Sequence, residues 1–198
     1  MHMPIFQTNV KRMLAYSSIA QIGYIFLAIG LASHPGFTAA LLHMFNHALI
    51  KGTLFMALGI IFYRFATSEL SAIAGTGKTM PFTMAAFTIG GLSLIGVPGT
   101  AGFVSKWYLV TALLDASLWP IALLILVASI LTVIYVGKVI EVAYFRPAPE
   151  GVEYKKMPTS MLAALWVFAI ANIYFGLDSD ISMGVATLAV DQLIGMRP

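Results

Sequence analysis

In the apolar stretch LHMFNHALIKGTLF (residues 42–55), three titratable side chains are set four positions apart: His43, His47 and Lys51. On an α-helix, at about 100° per residue, they drift only about 80° in all, so they form one polar stripe rising roughly 12 Å along the axis. Leu42, Phe45, Leu49, Ile50, Leu54 and Phe55 surround the stripe with hydrocarbon. Ionisable groups in such a setting are expensive and mark ion or proton pathways. Near the middle of a span, a lysine costs about 2.5–3.5 kcal/mol on the insertion scale, and Lys51 lies too far from either end of residues 37–63 to snorkel. Either histidine alone reads equally well as a hydrogen-bonded structural group. Register with a lysine tips the balance, because imidazole changes charge near neutral pH and can hand protons between water and an amine. Asn46 adds polarity beside them.

A second constellation follows a Pro-Gly break. Lys106 stands three residues after Gly102-Phe103, with Thr100 and Ser105 placed to order water. A break, then a lysine, is the pattern of a discontinuous membrane helix, whose irregular backbone is tolerated at depth only inside protein or against a wet cavity. Lys138 and Glu141 are i, i+3 neighbours near a helix end, where an ordinary ion pair or a snorkelling lysine explains them as well as transport does. Lys11 is either a surface anchor or the opening of a path. Other chemistries fail on spacing. His43 and His47 have the spacing of a zinc helix, but Met44 stands where a metalloprotease has glutamate, and no third ligand is evident. A haem would need ligands from two sides, and His2 and His34 are poorly placed to help. GTGKT (residues 75–79) imitates a phosphate-binding loop, yet Ala72 replaces the required glycine and no strand precedes it. Neither a cofactor nor a metal is expected.

The elements that must position these residues are apolar helices. The chain has 198 residues, 60% hydrophobic and 10% charged, with a mean hydropathy of +0.91. A soluble domain carries about 25% charge, so the composition predicts an all-α integral membrane bundle forming a single domain. Spans are expected over residues 13–31, 37–63, 82–97, 99–115, 119–145 and 161–177. A turn is expected at Ser33-His34-Pro35-Gly36, a polar connection over 64–81 and a charged loop over 146–158. The tail, 178–198, contains a weakly amphipathic stretch expected to lie at the interface. Ser17, Gln21 and Tyr24 share one face of the first span and read as interhelical hydrogen-bonding groups. Zero cysteines exclude disulfides and thiolate sites, and the net charge of +3 forms no basic tract that would suggest nucleic acid. No leader is evident, and the first ten residues read as the interior of a longer subunit. A raw count of loop lysines and arginines sets Lys11, Arg12, Arg64, Lys78 and Arg197 against Arg146, Lys155 and Lys156, and favours the first group facing the cytoplasm.

Residues 9–30 (NVKRMLAYSSIAQIGYIFLAIG), 43–55 (HMFNHALIKGTLF) and 90–109 (GGLSLIGVPGTAGFVSKWYL) resemble the proton-translocating antiporter-like family. That family comprises subunits of respiratory complex I, of membrane-bound hydrogenases and of multi-subunit Mrp-type Na⁺/H⁺ antiporters. FVSKWYL with residues 118–149 looks most like the D-type component of the Mrp antiporters. The resemblance implies two inverted five-helix repeats, each with a broken helix and a mid-membrane lysine. This chain resembles the second repeat, family helices nine to thirteen, plus one further helix. It matches Lys11 to the lysine opening helix nine, His43, His47 and Lys51 to the polar stripe of helix ten, and Lys106 to the lysine of broken helix twelve. It also implies that residues 146–158 face the cytoplasm, against the raw count. The first repeat, with its glutamate–lysine pair, has no counterpart here, so the chain is expected to be a truncated product or half of a split subunit.

The resulting expectation is a proton-conducting part of a multi-subunit cation/proton antiporter in the plasma membrane. Protons would hop between Lys51 and Lys106 with His43 and His47 as relays, and Na⁺ is a second candidate cargo. Its partners would be lipid and other membrane subunits, including one that supplies the missing repeat. Such a subunit has no active site of its own. The alternatives are a subunit of complex I, and so part of an NADH:quinone oxidoreductase, or of a membrane-bound hydrogenase. A non-conducting scaffold is the reading from a different class.

Overall fold

The computed structural model describes residues 4–148 and 158–195. Lys155, Lys156 and Arg197, which enter the orientation count, lie outside them. Within them eight α-helices run in order: α1 (Val10–Gly30), α2 (His34–Phe65), the single turn α3 (Thr76–Thr79), α4 (Pro81–Ile95), α5 (Ala101–Asp115), α6 (Trp119–Phe145), α7 (Thr159–Leu177) and α8 (Asp180–Ile194), counted among the described residues. Among the described residues there is no strand, only an isolated bridge between Asn9 and Glu69. The chain is an all-α bundle. Among the described residues four helices, α1, α2, α6 and α7, are long and apolar enough to cross a membrane.

Helix α2 is the spine. Its start is earlier than the sequence suggests, because Ser33 caps it: the Ser33 hydroxyl accepts the Gly36 amide at 3.2 Å. Pro35 then sits in the first turn, where its missing N–H would have had no partner anyway. The expected turn at 33–36 is therefore a helix start. Beyond α2 the connection is not simply polar. Leu70, Ile73 and Met80 are buried, and the segment is tied to α1 by the Val10 amide on the Ser68 carbonyl and the Leu70 amide on the Thr8 carbonyl.

The antiparallel partner of α2 is built from two pieces. Helix α4 faces its second half, where Gly90 lies against Thr53 and Leu54. Helix α5 faces its first half, where Asn46 reaches Ala101 and His43 reaches Ser105. At 15 residues each, these pieces are about 22 Å long, less than the roughly 30 Å of a hydrocarbon core. Laid end to end they follow α2, and the joint falls at its middle. Gly96 ends α4 at φ +93, a left-handed conformation that disfavours any side chain. Gly102 opens α5 so close to α4 that a Cβ there would fall on the Ser93 carbonyl. Helices α7 and α8 repeat the device on another side of α2. Phe168 covers Gly52, and Asp191 meets His34 at 2.7 Å. The tail helix thus lies along α2 rather than free at an interface, with Ala186 and Val190 buried.

Two apolar clusters result. One gathers Met13, Leu14, Ile50, Leu54, Phe87, Leu94, Val136 and Leu165. The other gathers Tyr24, Ala28, Ala39, Leu109, Leu113 and Ile125. Between these clusters α1, α2, α5 and α6 each carry buried or half-buried polar residues.

Candidate functional site

That band holds Ser17 and Gln21 from α1, His43, Asn46 and His47 from α2, Ser105 and Lys106 from α5, and Ser129 and Thr132 from α6. Lys51 borders it. Helical periodicity gives each element its polar face, and the break between α4 and α5 puts Lys106 opposite the stripe of α2.

Lys51 is 8% exposed and turns toward α1. Its ammonium donates to the Leu14 carbonyl at 2.8 Å and to the Ser17 hydroxyl. The Leu14 carbonyl also accepts the hydroxyls of Ser17 and Ser18. On its other flank the ammonium lies 5.8 Å from the centre of the Phe55 ring, within cation–π range. Lys106, 7% exposed, crosses Gly96 and donates back to the Leu94 and Ile95 carbonyls at 2.9 and 2.8 Å. These carbonyls end α4, where the helix dipole is negative and carbonyls lack intrahelical partners. Its remaining contacts are the Ser129 hydroxyl at 3.0 Å and the face of Tyr24 at 5.8 Å.

No carboxylate neutralises either lysine among the described residues. Glu141 pairs with Arg146, Asp191 with His34, and Glu69 accepts from Asn9 at 2.9 Å. Each ammonium is held by neutral oxygens, which stabilise it less than an acid would.

The His43 Nδ1 lies 2.9 Å from the Ser105 hydroxyl, which donates to the Gly102 carbonyl at 3.4 Å. That assignment puts the proton on Nδ1 and leaves Nε2 a buried acceptor. The His43 and His47 rings stack with centres 6.4 Å apart, and Tyr24 meets His43 edge-on at 5.7 Å. His43 Nε2, His47 Nδ1, Asn46 Oδ1 and Gln21 Oε1 are buried and meet no partner among the described residues. Such atoms are where water completes a network.

Of the residues singled out by sequence, His43, His47, Lys51, Ser105 and Lys106 come together. Lys11 does not. It is exposed at the start of α1 and borders a cleft of about 160 Å³ with Phe55, Leu58 and Ser68. Phe55 separates it from Lys51. Lys138 and Glu141 do not join the band either. Glu141 turns to Arg146, just past the end of α6, because a guanidinium offers a carboxylate two donors at 3.2 and 3.3 Å. Sequence reasoning reads Ser17 as an interhelical hydrogen-bonding group, and its partner on α2 is Lys51. It passed over Ser129, Thr132 and Tyr135 altogether. Their i, i+3, i+6 spacing, in a span otherwise almost wholly aliphatic, was the available signal.

Comparison with known proteins agrees with this architecture. The family described as "NADH:quinone oxidoreductase/Mrp antiporter, TM" matches residues 2–132. NADH-quinone oxidoreductase subunit N of Desulforudis audaxviator is 40% identical over 191 residues, covering 90% of this chain and 38% of that protein. A chain of the archaeal membrane-bound sulfane sulfur reductase superposes with a TM-score of 0.84 at 34% identity, over 96% of this chain and 39% of that one. A chain of the Mrp complex from Dietzia sp. gives 0.86 at 24% identity, over 96% and 44%, a likeness of fold. The chain thus spans about two fifths of the length of these relatives. With the shared profile extending across both lysines and the broken helix, the chain belongs to the NADH:quinone oxidoreductase/Mrp antiporter family of membrane subunits.

Proposed function

We propose that the chain is a proton-conducting part of an antiporter-like subunit, working in the plasma membrane beside other membrane subunits that include the source of the remaining length. The observation that carries this reading is the polar band with Lys106 inside it and Lys51 at its border, each ammonium held by neutral oxygens. An ammonium without a counter-anion gives up its proton more readily than a salt-bridged one. His43, with Ser105 behind it, and His47 stand between the lysines as groups that accept and release protons. A proton on one lysine repels a proton on the other, which couples their occupancies. Energy comes from partners, through electron transfer or an ion gradient.

The 40% and 34% identities to subunits of redox complexes favour a redox-driven setting, as in a quinone oxidoreductase. A cation/proton antiporter of the Mrp type, with this chain in the place of the D-type component and Na⁺ as counter-cargo, is the second reading. It rests on the FVSKWYL segment and the fold likeness. Vesicles carrying the assembled complex test both. Proton uptake, followed with a pH-sensitive dye, falls to background when Lys51→Ala and Lys106→Ala are combined, and parental transport by that variant ends the proposal. Dependence of uptake on Na⁺ rather than on a quinone and reductant selects the antiporter setting.

A further inference from the structure

The histidine stripe is not the most continuous link between the two lysines. Between His43 and His47 the rings stack without a hydrogen bond, and His43 Nε2 and His47 Nδ1 find no partner among the described residues. On α6 the polar atoms line up better. Lys106 donates to Ser129 at 3.0 Å. Thr132, one turn on, is 4% exposed, and its hydroxyl accepts Tyr135 Oη at 3.4 Å. Tyr135, 5% exposed, lines one cavity with Ser17, and Ser17 is held by the ammonium of Lys51. Residues three apart on a helix face one another across about 5–6 Å between Cβ atoms, so the ladder has two gaps, one from Ser129 to Thr132 and a second from Tyr135 to Ser17. A cavity of about 220 Å³, lined by Ser17, Tyr24, Ala128, Leu131, Thr132 and Tyr135, lies beside the second gap, and Ser129 lines another cavity with Lys106. One water needs only about 10–15 Å³ of such space and two or more polar partners.

We infer that protons pass between Lys51 and Lys106 along the hydroxyl ladder Ser17–Tyr135–Thr132–Ser129, with water bridging its two gaps. The inference rests on the proposed proton conduction and names its route. The hop is concerted. Following the donors, Lys51 releases a proton to Ser17, which passes its own through water to Tyr135. Tyr135 passes its own to Thr132, Thr132 its own through a second water to Ser129, and a deprotonated Lys106 takes the last from Ser129. No net charge stays on a hydroxyl, and the hydroxyls then rotate back to receive again. Hydroxyls suit this because each is both donor and acceptor. The backbone carbonyls on the lysines are acceptors only and can hold an ammonium but not relay its proton.

The test uses the assembled complex in vesicles, with four variants compared at equal recovery of the complex. Thr132→Val keeps the shape and removes the hydroxyl, Thr132→Ser keeps the hydroxyl and loses a methyl, and Tyr135→Phe removes only an oxygen. The ladder predicts proton uptake slower by about fivefold or more for Thr132→Val and for Tyr135→Phe, from loss of a hydrogen-bonded relay, with Thr132→Ser near the parent. The double variant Lys51→Ala with Lys106→Ala is the reference. If the lysine variant is dead while Thr132→Val and Tyr135→Phe transport like the parent, the route is wrong and conduction stands. If Thr132→Ser is as slow as Thr132→Val, shape rather than the hydroxyl matters, and the ladder is overturned. If the lysine variant transports normally, conduction itself falls.

Discussion

The two lysines are buried alike and held differently. Lys51 leans on α1, where it shares the Leu14 carbonyl with the hydroxyls of Ser17 and Ser18. That carbonyl stays satisfied if the lysine leaves. Lys106 completes the backbone. It bridges the joint between α4 and α5 and occupies two carbonyls that the end of α4 leaves open. One ammonium is therefore a guest in an intact helix interface, while the other is part of the structure that makes the break possible. A buried cation can thus be functional at one site and both functional and structural at the other, and stability measurements separate the cases.

The largest expected effect is at the joint itself. Gly102→Ala puts a methyl on the Ser93 carbonyl and is expected to cost about 3 kcal/mol or more, read as loss of thermal stability of the purified complex. Survival at parental stability would mean that α4 and α5 need not meet so closely. Next comes the contrast between the lysines. Lys106→Met leaves the Leu94 and Ile95 carbonyls unpaired and is expected to destabilise by about 1–3 kcal/mol. Lys51→Met removes a buried charge whose partners stay bonded, so it is expected within about 1 kcal/mol of the parent, on either side. Equal penalties would break the comparison. On another face of α2, Asn172 donates to Thr53 at 2.9 Å in a buried contact. Asn172→Leu should cost about 1 kcal/mol by denaturant titration and leave proton uptake intact, because this contact lies outside the band. The smallest effect is at Glu141→Gln. Its pair with Arg146 is half-exposed, so stability should change by less than about 0.5 kcal/mol and uptake not at all. A severalfold fall in uptake would show that a carboxylate does serve the path.

Much of this was legible along the chain. Composition and the long apolar runs of α1, α2, α6 and α7 require a helical membrane bundle, because hydrocarbon leaves a backbone few other ways to satisfy its polar groups. The i, i+4 register of His43, His47 and Lys51 is a property of one helix and can be read off by counting. Gly96, Pro98 and Gly99 announce a break before Lys106. Less visible were partners from other elements. That Glu141 would choose Arg146 over Lys138 depends on how the chain leaves α6. That Ser17 would meet Lys51, and that Thr132 and Tyr135 would face the same seam, depends on which faces of α1 and α6 are turned inward. A hydroxyl in an aliphatic span gives no sign of that, since it can equally bond its own backbone, as Thr132 also does with Ala128 at 2.9 Å.

By itself, then, the sequence determined that helices form, which residues share a face on each, and that two lysines and two histidines sit in apolar runs. These follow from local periodicity and from the cost of bare polar groups in hydrocarbon. Tertiary structure alone decided that α4 and α5 stack end to end along α2, that Lys106 caps the first of them and reaches Ser129 on α6, and that Thr132 and Tyr135 line a cavity with Ser17. The physical reason is that each of these contacts joins residues distant in sequence, and helical periodicity fixes a direction around an axis without fixing what stands across from it.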